Sequence, residues 1–148
     1  MAIRQVSLDE AKDLMAQGHA YLDVRSEPEF ETGHPPGAFN VPLHCASDFG
    51  LEPNQDFLRV VQNLFPTNST LVVGCKVGGR SRRAAEILSM AGYHDVADLS
   101  VGWEGRRDAF GRLQPGWSRS GLPVETGQPE DRSWVALRER GGSQPDSG

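Results

Sequence analysis

Apolar residues along the chain follow two rhythms, a helical recurrence of about 3.6 residues and short continuous runs. The two alternate. Leu8, Ala11, Leu14 and Met15 recur at helical spacing behind Ser7-Leu8-Asp9-Glu10. That tetrapeptide is a capping box with Ser7 as N-cap and Glu10 at N3, and Gly18 supplies a stop. Ala20-Tyr21-Leu22 is a short apolar run passing into Asp23-Val24-Arg25, a strand that ends in a charged loop. Ser26-Glu27-Pro28-Glu29 repeats the start signal and predicts a helical turn over 28–31. The breakers Pro35-Pro36-Gly37 set off 38–41 as another brief strand. Phe57, Val60, Val61 and Leu64 predict a helix over 56–64, and Thr70-Leu71-Val72-Val73 reads as a strand buried on both faces. A glycine-bearing loop, 74–80, precedes a helix from Ser81 with Ala84, Ile87, Leu88 and Ala91 on one face, closed by Gly92. Val96-Ala97-Asp98-Leu99 follows as a strand. Alternation of this kind predicts an α/β fold, a parallel sheet with helices on both faces.

Beyond Gln128 the apolar residues thin to Trp134, Val135, Ala136 and Leu137, and the chain ends Gly-Gly-Ser-Gln-Pro-Asp-Ser-Gly. Residues 1–127 therefore read as one domain. Residues 128–148 read as a flexible tail, with one loose helical turn around 134–138. A length of 148 residues suits one compact domain with a short appendage.

Composition narrows the function. Fifteen basic against twenty acidic residues leave a net charge of −5, without the basic footprint of a nucleic-acid binder. The longest apolar run, Leu71-Val72-Val73, is far short of the roughly 18 residues a membrane span needs. Neither nucleic acid nor membrane is an expected partner. Two cysteines, Cys45 and Cys75, cannot build a disulfide framework, and Met1 to Gln5 leads into polar sequence without the apolar core of a leader. A cytoplasmic, reducing location is the expectation.

The informative chemistry lies in Cys75-Lys76-Val77-Gly78-Gly79-Arg80-Ser81-Arg82-Arg83. Set between a strand and a helix, Cys75 is expected at the carboxyl edge of the sheet, where ligands bind in open α/β folds. Adjacent glycines let successive N–H groups converge, and such a nest at a helix N-terminus holds an anion. Lys76, Arg80, Arg82 and Arg83 crowd the cysteine, and no acid follows until Glu86. That setting favours the thiolate, so Cys75 is the expected nucleophile. The bland alternative is an inert core cysteine beside a turn, which would need neither the cations nor the glycine pair. Arg82 and Arg83 are read as a solvated helix face. Cysteine-dependent phosphatases hold phosphate in a C-x5-R loop; here the spacing is C-x4-R and position 81 is serine. A ring shorter by one residue is too small for phosphate but leaves room for one extra sulfur atom. A phosphatase or arsenate reductase is accordingly the weaker enzymatic alternative.

Four segments resemble the single-domain rhodaneses (thiosulfate sulfurtransferases), over roughly residues 6–124. They are Tyr21-Leu22-Asp23-Val24-Arg25, the stretch from Glu29-Phe30 through Gly33-His34 to Asn40-Val41-Pro42, the loop Cys75, Gly78 and Arg80, and Ser120-Gly121-Leu122-Pro123-Val124 as a closing strand. The chain departs from that family where a usual Gly-Gly pair is Val101-Gly102, and where 104–116 runs longer before Trp117. The resemblance implies a central parallel sheet of about five short strands. It implies a persulfide formed on Cys75 by attack on a small anionic sulfur donor such as thiosulfate. The sulfur then passes to a thiophile, cyanide in an assay or a thiol acceptor such as thioredoxin or glutathione. Lys76, Val77, Gly78, Gly79 and Arg80 would form the binding loop, with Lys76 on the donor's sulfonate and Arg80 fixing the loop by pairing with an acid elsewhere. Asp23 and Arg25 are supporting residues that tie the sheet edge to its loops. No cofactor and no metal are implied, and the assembly is read as monomer or homodimer. A sulfur carrier or regulatory module with slow turnover is the non-enzymatic alternative. His34 is read as a structural hydrogen-bonding residue and Cys45 as a weak candidate for a resolving thiol; His44-Cys45 is too small a group to be a metal site. Trp103, Phe110 and Trp117 are read as packing residues.

Overall fold

A computed structural model describes residues 3–47 and 50–142. Five parallel strands form the central sheet in the order β1-β7-β6-β2-β3: β1 (Ile3–Val6), β2 (Ala20–Asp23), β3 (Phe39–Asn40), β6 (Thr70–Gly74) and β7 (Asp95–Leu99). Between them lie α1 (Leu8–Ala16), α2 (Glu27–Thr32), the hairpin β4 (His44–Ser47) and β5 (Gly50–Pro53), α3 (Phe57–Leu64) and α4 (Gly79–Met90). After β7 come a second hairpin, β8 (Gly105–Arg107) and β9 (Leu113–Pro115), a single 3-10 turn (Trp117–Arg119) and α5 (Trp134–Gly142). Among the described residues, no helix is long and apolar enough to cross a membrane.

The predicted capping box is in place: Ser7 Oγ accepts from the Glu10 amide at 3.1 Å, and the Ser7 amide donates to Glu10 Oε1 at 2.8 Å. The central strands β6 and β7 are buried on both faces, as the apolar run Leu71-Val72-Val73 requires of β6; β7 carries the buried Asp98 among its apolar residues. Their side chains alternate between two cores. Leu71, Val73 and Val96 meet α3 and α4 through Val60, Val61, Ala84 and Leu88, while Val72, Ala97 and Leu99 meet Ala11 of α1 and Phe30 of α2. Each fully buried Leu or Val contributes roughly 1.5–3 kcal/mol. The expected architecture of about five parallel strands, with helices on both faces, is the one observed.

Three expectations need correction. The fifth strand is β1, at the amino end, and not residues 120–124. Those residues form no strand; the neighbouring Glu125 makes an isolated antiparallel bridge with His34. β1 escaped the sequence because it is an edge strand of pattern Ile-Arg-Gln-Val in which only Val6 is buried. Second, the segment read as a flexible tail is anchored to the domain through residues 132–137. Trp134 and Leu137 of α5 are 2% and 0% exposed and join the core against α3, and Arg132 O accepts from the Asn40 amide at 2.9 Å. Two apolar residues at i, i+3 suffice to seat a short helix on a core built elsewhere, a condition the local sequence does not reveal. Residues 143–148 lie outside the described residues. Third, Phe110 is not a packing residue: it is 86% exposed at the tip of the β8–β9 hairpin.

Candidate active site

Parallel strands end on one edge, and Cys75 is the first residue past the end of β6, with Asp23 ending β2 and Leu99 ending β7 beside it. The loop from Cys75 turns into α4 through Gly78, the N-cap, whose φ of 108° is left-handed. A Cβ there would stand 2.4 Å from Ser100 O, so only glycine fits. This turn aims the Gly78 amide inward, where it donates to Cys75 Sγ at 3.1 Å. Ser81 Oγ lies 3.5 Å from the same sulfur. Cys75 is 1% exposed, so the thiol sits at the base of the loop, while Lys76, Val77 and Gly79 are exposed above it. Among the described residues the Lys76 ammonium makes no hydrogen bond or ion pair, which leaves it free for an anion.

The loop is clamped from both sides. Trp103 N donates to Cys75 O at 2.7 Å and Glu104 N to Lys76 O at 2.9 Å. This close approach depends on Gly102 (φ 63°), where a Cβ would meet both carbonyls within 2.7 Å. The Val101-Gly102 departure therefore keeps the glycine that the contact requires. On the other side Arg80 makes a bidentate pair with Glu29 of α2, at 2.8 and 3.1 Å. Burial pushes the Glu29 carboxyl up, but Arg80 together with the Ser26 amide and hydroxyl outweighs it and holds the group at about 2. The acid expected to pair with Arg80 is thus Glu29, and the guanidinium is engaged by it.

Asp23 and Arg25 form a buried pair at 2.8 Å, and Arg25 also donates to Gly33 O and lies 4.8 Å from the Trp103 ring centre. Asn40 Nδ2 donates to the carbonyls of Asp23 and Arg25. These groups join β2, β3 and the α2–β3 loop and stand apart from the sulfur's hydrogen bonds. His34 is fully buried, with Nδ1 2.7 Å from Phe30 O and Nε2 3.0 Å from Glu125 Oε1, which is the structural role expected of it. Arg82 and Arg83 face solvent beside Glu86. Cys45 and Cys75 are free thiols. Cys45 sits half-buried on β4 opposite Glu52, with its thiol pushed up by burial and by Glu27. Trp117 is buried and donates its indole N–H to Pro123 O at 2.7 Å. Among the described residues, no three His, Cys, Asp or Glu side chains are grouped to hold a metal ion.

The Rhodanese-like domain family matches residues 7–109. The chain belongs to the rhodanese-like family. It is similar to Thiosulfate sulfurtransferase 16, chloroplastic, of Arabidopsis thaliana, with 38% identity over 120 residues covering 81% of this chain and 91% of that protein. It is 29% identical over 126 residues to Thiosulfate sulfurtransferase GlpE of Haemophilus influenzae (strain PittEE), covering 85% and 98% of the two chains. The crystal structure of Rv0390 from M. tuberculosis superposes with a TM-score of 0.67 at 27% identity, over 83% of this chain and 97% of that one.

The rhodanese-like loop has one neighbour that the sequence reading missed. Ser81 Oγ donates to Asp98 Oδ1 at 2.6 Å, and Gln5 Nε2 donates to Asp98 Oδ2 at 2.9 Å. Asp98 is 1% exposed, and burial pushes its carboxyl up against the pull of those two donors. Seventeen residues separate Ser81 from Asp98, so local spacing gives no hint of the contact. The available signal was an acid between the apolar residues Ala97 and Leu99, inside a strand buried from Val96 onward.

Proposed function

We propose that this rhodanese-like domain is a sulfurtransferase that carries a sulfane sulfur on Cys75. The observation that carries the reading is the Gly78 amide aimed at Cys75 Sγ across a C-x4-R loop whose arginine is engaged by Glu29. A donor N–H at the sulfur supports negative charge there without a metal or cofactor. An arginine paired with a glutamate is not free to clamp a phosphate, which speaks against the phosphatase alternative.

In the first half-reaction the Cys75 thiolate attacks the outer sulfur of thiosulfate, the donor's S–S bond breaks, and sulfite leaves with the electron pair. Lys76, next to Cys75 in sequence, exposed and without a side-chain partner among the described residues, binds the sulfonate oxygens. In the second half, an acceptor thiolate attacks the terminal sulfur of the persulfide and Cys75 departs as thiolate. Thioredoxin and glutathione are suitable acceptors, in a reducing compartment such as the cytoplasm.

Mixing the protein with thiosulfate should add the mass of one sulfur atom to the intact chain. A Cys75→Ser variant that gained the same mass would refute the assignment. The near-complete burial of Cys75 favours one second reading, a carrier that shelters its persulfide. Rapid return of free thiol on adding cyanide or reduced thioredoxin supports the enzyme, and a long-lived persulfide supports the carrier.

A further inference from the structure

We propose that Asp98, acting through Ser81, is the proton acceptor for the Cys75 thiol. The proposal rests on the reading of Cys75 as nucleophile and adds the base that reading lacks. Three atoms form the path: Cys75 Sγ is 3.5 Å from Ser81 Oγ, and Ser81 Oγ is 2.6 Å from Asp98 Oδ1. A hydroxyl has one proton. Its short contact is to Asp98, the alternative acceptor Gly78 O being farther at 3.2 Å. With that proton on the carboxylate side, the Ser81 oxygen presents a lone pair to the thiol. In the transfer the Cys75 S–H bond breaks as its proton passes to Ser81 Oγ, while the Ser81 O–H bond breaks as its proton passes to Asp98 Oδ1. The products are a thiolate, an intact hydroxyl and a neutral carboxylic acid, with no net change of charge. The same path returns a proton to Cys75 when it is released at the end of the cycle.

Holding the loop does not account for an ionisable group at position 98. Asp23, the other buried aspartate of this edge, has a guanidinium against it. Asp98 has none: among the described residues it makes no ion pair and is met by two neutral donors, Ser81 of α4 and Gln5 of β1. An asparagine oxygen would accept the Ser81 bond equally well, and a buried carboxylate without a cation is costly. The charged or titratable groups around it are Arg82 on α4, Arg106 on β8 and, across the sheet, the buried Tyr21 hydroxyl with Cys75 itself. Both arginines act without direct contact. Burial raises the carboxyl's proton affinity, as a group that must receive a proton requires.

The test is the rate of Cys75 alkylation by iodoacetamide, read on the Cys75 peptide by mass, between about pH 5 and pH 9. General-base assistance is worth typically ~10²–10⁴-fold, so a loss of about tenfold or more at pH 6 is expected in Asp98→Asn and in Ser81→Ala. Both should converge on the wild type near pH 9, where solvent hydroxide takes the proton directly. Ser81→Thr, which keeps the hydroxyl, should recover the pH dependence that Ser81→Ala loses. Should Asp98→Asn fail to fold, Ser81→Ala carries the test alone. A loss equal at every pH would mean a purely structural role and overturn the proposal, as would an unchanged profile. Faster alkylation of Asp98→Asn at pH 6 would also overturn it, since Asp98 would then only repel the thiolate. Wild-type protein that alkylates with the expected profile yet takes no sulfur from thiosulfate would remove the sulfurtransferase reading and leave the relay standing.

Discussion

Replacing Glu29 with glutamine tests how the active loop is held. The Glu29 carboxylate accepts two bonds from Arg80 and two from Ser26, and its affinity for protons falls from an ordinary 4.5 to about 2. A displacement of that size corresponds to at most roughly 3.4 kcal/mol at 1.36 kcal/mol per unit. The side chains of Arg80 and Glu29 are 25% and 31% exposed, so solvent screens the pair, and about 1–2 kcal/mol is expected at pH 7. Glutamine fits the capping box at α2 and keeps nearly the same shape, so the loss isolates the charge. Because the folded carboxyl titrates below the unfolded one, its stabilisation is complete above about pH 4.5 and is lost as pH falls toward 2. Urea unfolding of wild type and Glu29→Gln at pH 7, 5 and 3 should show a gap that persists to pH 5 and has begun to close at pH 3. A gap independent of pH, or a variant as stable as wild type at pH 7, would refute the argument that this charge pair clamps the loop.

Leu137→Ala should cost about 2–5 kcal/mol, seen as a lower urea midpoint at unchanged slope, whereas a mobile tail would tolerate it within about 0.5 kcal/mol. Gly78→Ala combines a left-handed backbone with a Cβ 2.4 Å from Ser100 O, so its melting temperature should fall well below that of Gly79→Ala, where nothing lies within 4 Å of the new methyl. Equal melting temperatures would show that the turn is not required. Lys76→Ala should raise the KM for thiosulfate about tenfold or more, with less effect on an uncharged sulfur donor and a weaker dependence on salt. Equal losses on both donors would show that the ammonium does not bind the sulfonate.

The loop was legible because its signal is local. A run buried on both faces, a cysteine, a glycine pair and a following helix succeed one another between Thr70 and Met90, and each step has one structural reading. Even so, α4 starts at Gly79, two residues before the predicted Ser81, because Gly78 already caps it. What sequence order hides is pairing at a distance. Glu29 meets Arg80 across 51 positions and Ser81 meets Asp98 across 17, and both contacts exist only once β2, β6 and β7 lie side by side. β1 was missed for the same reason. Its partner is β7, with Ile3 opposite Val96, and half-exposed edge residues carry no continuous apolar mark.

Packing Leu137 of α5 into the core that Val60 and Val61 of α3 share has a consequence for synthesis on the ribosome. The Cys75 loop, its strand and the helix behind it are all translated long before the residue that closes their shared hydrophobic layer. Until α5 emerges from the exit tunnel, a nascent domain has its chemistry assembled but one wall open to water, and chaperone contact during that interval should concentrate on the α3 surface that α5 covers.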